Sequence, residues 1–216
     1  MEIKDAGPNH PWHDRHLKWR YALLFITFAI FIWSGINPKD RATWVLETLP
    51  SMIGFTLVFI FWRRFPLSFL LFTLICIHSW ILCVGGKYTY ALVPIGDWFR
   101  DFFGFERNHY DRLGHLIQGF EPAILAREIL IRHRVTRSEA WTNFYAICFT
   151  LAFSAFYELI EWATALILNQ GAEAFLGTQG DIWDTQSDMF CALVGALAAI
   201  FLLRRFHDHS IRKVID

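Results

Sequence analysis

The chain has 216 residues, 55% of them hydrophobic and 19% charged, with 20 Lys+Arg against 20 Asp+Glu. With Gly counted in and Tyr out, the apolar share is about 58%, above the roughly 45–50% of soluble domains. That excludes a disordered, collagenous or disulfide-scaffold chain, and zero net charge without any RNA- or DNA-reading motif sets nucleic acid aside as a partner.

A bilayer core about 30 Å thick needs about 20 largely apolar residues at helical rise. Six stretches approach that length: about Tyr21 to Ile36, Trp44 to Trp62, Pro66 to Val84, Leu113 to Ile131, Asn143 to Leu168 and Ser187 to Leu203. The fourth is interrupted by Gln118, Glu121, Pro122 and Arg127, and the sixth is short, so its helix should begin earlier. The expectation is an all-α, polytopic membrane protein of one domain with about six transmembrane helices. Some 20 largely polar residues precede the first apolar block and no small-x-small site follows it, so that block reads as a retained span. The four cysteines, Cys76, Cys83, Cys148 and Cys191, show no CxxC spacing and read as small hydrophobes in packed helices.

Basic residues decide the orientation. Lys4, Arg15, Lys18 and Arg20, then Arg63 and Arg64, then Arg127, Arg132, Arg134 and Arg137, then Arg204, Arg205, Arg212 and Lys213 all fall on one side. The other side has only Lys39, Arg41, Lys87, Arg100, Arg107 and Arg112. Both termini are therefore expected in the cytoplasm, with membrane lipids as the surroundings. His10, His13, His16, His207 and His209 then lie in cytoplasmic tails, where solvated side chains are expected.

Ionisable groups inside a span cost roughly 2.5–3.5 kcal/mol each on insertion scales, yet several are present. Read in the assigned direction, His78, Glu121, Glu158 and Glu161 lie about 10–15 Å below the outer surface. Two polar segments meet them there: Asn108 to His115, and Gly177 to Asp188, which holds three aspartates and no basic residue. Asp111, His115 and Gln118 share one helical face, Glu121 continues it, and Glu158 and Glu161 form an i, i+3 pair. Asp181, Asp184 and Asp188 make one stripe if the last helix begins near Asp181. One outer-facing pocket is expected.

Mixed carboxylates and imidazole suit a divalent cation. A divalent metal ion is therefore the cofactor this set would take, with His115, Glu158, Glu161, Asp184 and Asp188 as ligands. Glu121, Glu158 and Glu161 are the acid–base candidates. Asp111, Gln118, Trp162 and Trp183 are the substrate-contact candidates, although Trp183 also reads, with Trp44, Trp62 and Trp98, as part of an interfacial belt. Blander readings stand beside these: Glu121 paired to Arg112 or a histidine, Asp184 as a helix cap, and His109 as a solvated loop histidine. No HExxH, GxSxG, P-loop or dinucleotide glycine pattern assigns a reaction.

At Tyr110-Asp111-Arg112-Leu113-Gly114-His115, Tyr157-Glu158-Leu159-Ile160-Glu161-Trp162 and the segment Gly180 to Met189, the chain resembles the YjdF family of bacterial inner-membrane proteins. Three ordered motifs carry that resemblance over nearly the whole length. It implies a polytopic inner-membrane protein and brings no activity with it. More distantly, an Asp with a His four residues on, a Glu on the next span and an Asp opening a Gly-containing final span is similar to VanZ-like proteins. Here Asp111, His115, Glu158 or Glu161, Asp184 or Asp188, and Gly195 take those places. That resemblance implies an envelope role, although the Glu-x-x-Glu pair and the Trp-Asp-Thr-Gln-Ser-Asp segment depart from the pattern. The expected function is metal-assisted chemistry on a lipid or lipid-linked envelope substrate. A proton- or cation-coupled transporter and a non-catalytic membrane partner subunit are the alternatives.

Overall fold

The computed structural model describes residues 16–168 and 178–215. Lys4, Arg15, His10, His13 and Gly177 lie outside the described residues. Seven α-helices run along the described chain: α1 (Leu17–Gly35), α2 (Arg41–Phe61), α3 (Phe69–Tyr88), α4 (Pro94–Phe103), α5 (Tyr110–Arg132), α6 (Glu139–Leu168) and α7 (Asp184–Ile215). A single 3-10 turn (Tyr90–Leu92) separates α3 from α4.

The helices are apolar on the outside. On α1 the buried residues are Arg20, Thr27 and Ser34, whereas Phe25 and Phe28 are 74% and 64% exposed. On α6, Thr142, Thr150, Ser154, Glu158 and Glu161 are buried and Phe149, Phe153, Phe156 and Ile160 are exposed. In water such a surface would aggregate; in hydrocarbon it is the stable arrangement, since lipid solvates the apolar faces and the polar groups find partners inside. Five helices, α1, α2, α3, α6 and α7, are long and apolar enough to cross a membrane. The 23-residue α5 is equally long but carries too many polar groups to rank with them.

That polarity follows from where α5 sits. It packs against α7, α6 and α3, and α3 in turn carries α1 and α2. A helix walled in by protein need not be apolar all round, so its polar groups can face neighbouring helices. Leu71, Ala123, Ile124, Ala196 and Ala199 form the apolar centre of this packing. A Cβ on Gly119 would strike the backbone of Ala192, and one on Gly195 the backbone of Leu116 and Phe120. The α5 and α7 backbones are therefore in direct contact, as small residues permit between membrane helices.

Two elements depart from expectation. The last helix does not end near Leu203 but continues through Ile215, because Arg204, Arg205, Asp208 and Arg212 keep a helical period with His207 and Ile211 turned inward. His207, expected as a solvated tail residue, is fully buried. Its Nε2 and the Glu128 carboxylate are 3.1 Å apart, and its Nδ1 lies 3.2 Å from Arg127 Nη1. Since Arg127 can only donate, Nδ1 accepts and Nε2–H donates to Glu128. Glu128 also accepts from the Ser68 N–H at 2.8 Å and from Arg132 at 3.0 Å, so this end of the bundle ties α3, α5 and α7 together. Among the cysteines, Cys76 and Cys83 are packed as expected, but Cys148 is exposed and Cys191 half-buried; all four are free thiols.

The second departure is α4, a ten-residue helix too short to span. Ile95, Trp98, Phe99, Phe102 and Phe103 are exposed along it, Gly96 is buried, and Gly104 at φ +68° ends it. Position φ > 0 at its C-cap suits glycine because no Cβ is strained there.

The entry to α2 gives a measurable term. The Thr43 N–H donates to Asp40 at 2.7 Å, which satisfies one free amide of the first turn. The backbone N–H of Thr43, then its hydroxyl, hold the Asp40 carboxyl below the usual carboxylate range. A depressed folded pKa contributes stability above the unfolded value of about 3.9 and loses it as pH falls through the lower folded value. Asp40→Ala is expected to cost about 1 kcal/mol at neutral pH. In detergent melts, the gap from the parent should shrink toward pH 3; a gap that persists there would count against the cap.

Candidate functional site

The site lies at the end of the bundle where α5 and α7 begin and α6 ends. Asp111 and His115 stand one turn apart on α5, so both reach the same groove. His115 Nε2 lies 3.6 Å from Asp111 Oδ1 and 3.8 Å from Asp188 Oδ1, and His115 Nδ1 lies 3.7 Å from Glu158 Oε1. These separations exceed hydrogen-bond length. The one short contact of the ring is Nδ1 to Gln118 Oε1 at 2.9 Å. An amide oxygen only accepts, so Nδ1 carries a proton and donates to it, and Nε2 faces the two aspartates.

Two oxygens here are buried without a hydrogen-bond partner: Asp111 Oδ2 and Glu158 Oε1. An unsatisfied buried carboxylate oxygen is expensive. Arg107 Nη2 stands 4.0 Å from Asp111 Oδ2, at the limit of an ion pair. Asp111, His115 and Asp188 each offer one ligand atom, and those atoms lie within 4.8 Å of one another. Tetrahedral zinc with bonds of about 2.0–2.2 Å puts ligand atoms about 3.3–3.6 Å apart, close to the two spacings from His115 Nε2 of 3.6 and 3.8 Å.

The expected site residues divide. Asp111, His115, Gln118, Glu158 and Asp188 converge as described. Asp184 turns aside from the imidazole and is held by Arg107 Nη1 at 2.8 Å and Arg112 Nη2 at 2.7 Å. Asp181 is not on the last helix, which starts at Asp184; it stands in the preceding turn, bonded to Arg112 at 2.9 Å and Arg107 at 3.3 Å. The aspartate-rich segment, which has no basic residue of its own, is thus neutralised by arginines from the segment that opens α5. Glu121 is turned toward α3, where His78 Nδ1 lies 3.1 Å away, and shows no contact with His115. Glu161 is buried on the same side of α6 as Glu158. Trp162 and Trp183, expected at the pocket, are 61% and 62% exposed. Trp162 follows Glu161 by one position, and about 100° of helical rotation carries it to the outer face; Trp183 stands in the turn before α7.

Four residues have roles at the site that the sequence reading did not assign. Glu47 of α2 is buried, with its carboxylate 3.5 Å from the Tyr157 hydroxyl of α6; an acid in an apolar run was the available signal. Arg107 and Arg112 are the counter-ions, and their spacing around Asp111 was the clue. Asn108, fully buried, joins three segments: its amide donates to Val93 O and Asp97, its N–H to Gln179, and Gln179 donates back to its carbonyl. His109 at the rim is exposed, and partial burial, then the charges of Arg107 and Arg112, hold it below its ordinary pKa. It therefore adds no positive charge to the cluster at neutral pH.

Comparison with known proteins gives the family of the chain. The family described as "Predicted membrane protein (DUF2238)" matches residues 19–209, which takes in all of the described site. The chain belongs to that family. "Inner membrane protein YjdF" of Escherichia coli (strain K12) is 52% identical over 184 residues, 85% of this chain and 88% of that relative. No solved structure matches. Family membership and the lipid-facing helices together make the chain a multi-pass protein of the bacterial inner membrane.

Proposed function

We propose that the site holds one divalent cation through Asp111, His115 and Asp188 and presents it to the polar head of a lipid or lipid-linked envelope substrate. The observation that carries this reading is the convergence on His115 Nε2, its ring held by Gln118, of two aspartate oxygens at 3.6 and 3.8 Å. A carboxylate or amide on the second nitrogen of a ligating histidine is the usual way such a ring is oriented. Three protein ligands leave a position open, which is the pattern of a catalytic and not a structural zinc site. A cation there would polarise a phosphoryl or carbonyl oxygen. Glu158, whose unpaired Oε1 faces the same imidazole, is placed to take up or deliver a proton, with Glu161 one turn beyond it.

In this reading α5 is a sixth span, both termini are cytoplasmic, and α4 lies along the outer surface with Trp98, Phe99, Phe102 and Phe103 in the headgroup region. The basic residues of the two sides support that orientation. A carrier role for Glu121 has less support, because His78 already partners it.

Metal analysis of the purified protein tests the proposal. After loading with zinc or manganese and desalting, about one ion per chain is expected, and His115→Gln and Asp188→Asn should each lower the affinity at least tenfold. Folded parent protein that retains no ion would overturn it. A cysteine at Thr178 should label from the outer side; labelling from the cytoplasm alone would reverse the orientation.

A further inference from the structure

The arginine pair at the mouth of the site has its own geometry. Arg107 Nη1 and Arg112 Nη2 both contact Asp184 Oδ1, at 2.8 and 2.7 Å, and both contact Asp181 Oδ2, at 3.3 and 2.9 Å. Two guanidinium nitrogens thus share two anionic oxygens from two different residues. Arg112 reaches one step further, to Asp188 Oδ1 at 2.5 Å, so the pair adjoins the trio around His115. Both arginines are largely buried, with side chains 12% and 13% exposed.

The two aspartates are not equivalent. Asp184 is the first residue of α7, its side chain 8% exposed, and its backbone carbonyl accepts from Arg112 at 3.0 Å. Asp181 stands outside the helix in a short turn, its side chain 30% exposed, and among the described residues its other oxygen accepts the Trp183 N–H. Two of the four contacts of the clamp are therefore to a partly exposed carboxylate outside any helix.

We propose that Arg107 and Arg112 form a clamp for a doubly charged terminal phosphate, and that Asp181 occupies it until such a ligand displaces it. This deepens the reading of the same site above by naming its ligand class. The chemistry is specific. Guanidinium groups match phosphate oxygens in paired, planar contacts. Asp184 and Asp188 stay on the pair, so the ligand has to outcompete one carboxylate, and a phosphate monoester carries about −1.5 to −2 on one group near pH 7. A phosphodiester brings one. The helix that Asp184 opens adds the positive end of its dipole on the same side. A ligand seated there projects its phosphate toward Asp188 and the His115 groove. Its remainder leaves past Asp181, toward the exposed aromatic face that begins with Ile182 and Trp183. The terminal phosphate belongs either to a lipid headgroup or to free phosphate.

Titration of the full chain in neutral detergent separates these. Dihexanoyl phosphatidic acid, dihexanoyl phosphatidylcholine, dihexanoylglycerol and inorganic phosphate are the probes, each with and without EDTA. The phosphatidic acid should bind at least tenfold more tightly than the phosphatidylcholine, and the glycerol lipid should not bind. Asp181→Asn removes the competing charge from a surface-facing side chain and should tighten phosphatidic acid about tenfold, the effect of one charge-assisted hydrogen bond. Arg107→Lys, which keeps the charge and loses the fork, should weaken it by a similar factor. Inorganic phosphate binding as tightly as the lipid assigns the clamp to free phosphate; much weaker binding assigns it to the headgroup. Equal affinity for all lipid probes, or an Asp181→Asn variant that binds like the parent, would overturn the clamp. Phosphate binding that survives EDTA in a chain retaining no metal would remove the cation reading and leave the clamp standing. Retained metal without phosphate affinity would do the reverse.

Discussion

Gly119→Ala or Gly195→Ala is expected to lower stability by roughly 3 kcal/mol, the upper part of the range for overpacked cores. Helix propensity argues the other way, since Gly in a helix interior is about 0.5–1 kcal/mol worse than Ala. The packing term decides the sign. A methyl at Gly119 would run into the Ala192 backbone, and one at Gly195 into Leu116 and Phe120. Backbone does not move aside as a side-chain tip does, so α5 and α7 must separate. Gly54 supplies the control: nothing lies within 4 Å of a Cβ there, and Gly54→Ala should be neutral or slightly stabilising. Thermal unfolding in detergent reads both. The consequence reaches the site, because α5 carries Asp111 and His115 while α7 carries Asp188. The two alanine variants should lose metal affinity at temperatures where they are still folded; full metal affinity with lowered stability would show that the groove tolerates a shifted crossing.

How far the sequence shows this architecture depends on what each helix faces. The spans with lipid on one side, α1, α2, α3 and α6, announce themselves by apolar runs, and their bounds differ from the expected ones by a few residues. For α5 the rule inverts. Gln118, Glu121, Arg127 and Glu128 make it the least apolar of the long helices because protein encloses it, and their pairing makes sense only with partners on α3 and α7. The extension of α7 to Ile215 is hidden for a related reason: Arg204, Arg205 and Arg212 look like a solvated tail until His207 and Ile211 are seen buried between them. The convergence of Asp111, His115 and Glu158 follows from helical spacing and depth, both readable along the chain. The division of the aspartates does not follow. Asp188 joins the imidazole and Asp184 joins the arginines because α7 starts at Asp184, and one turn of helix sets which oxygen faces which neighbour. Trp162 fails for the same angular reason, since adjacency in sequence to Glu161 places it on the opposite wall.

Arg112→Met is expected to be the most damaging single substitution at the site. Its guanidinium contacts Asp181, Asp184 and Asp188 at 2.9, 2.7 and 2.5 Å, and Asp188 is 2% exposed. Removing one partner of a buried ionic group leaves the other charges uncompensated, a loss of about 3–5 kcal/mol. Arg107 does not offset it, because Arg107 is already shared between Asp181 and Asp184, and no contact from it to Asp188 is present among the described ion pairs. The same argument predicts the rescue. In Arg112→Met with Asp188→Asn the orphaned carboxylate is gone, so the double variant should recover at least 1 kcal/mol relative to Arg112→Met alone, although Asp188→Asn by itself destabilises. A double-mutant cycle on thermal or denaturant unfolding in micelles measures that coupling. Additive losses would show that Arg112 and Asp188 act independently, and that packing by the long arginine side chain, and not charge, supplies its contribution. Coupling of the expected sign ties stability and site together: the guanidinium that offsets three acids also fixes Asp188 with its Oδ1 3.8 Å from His115 Nε2.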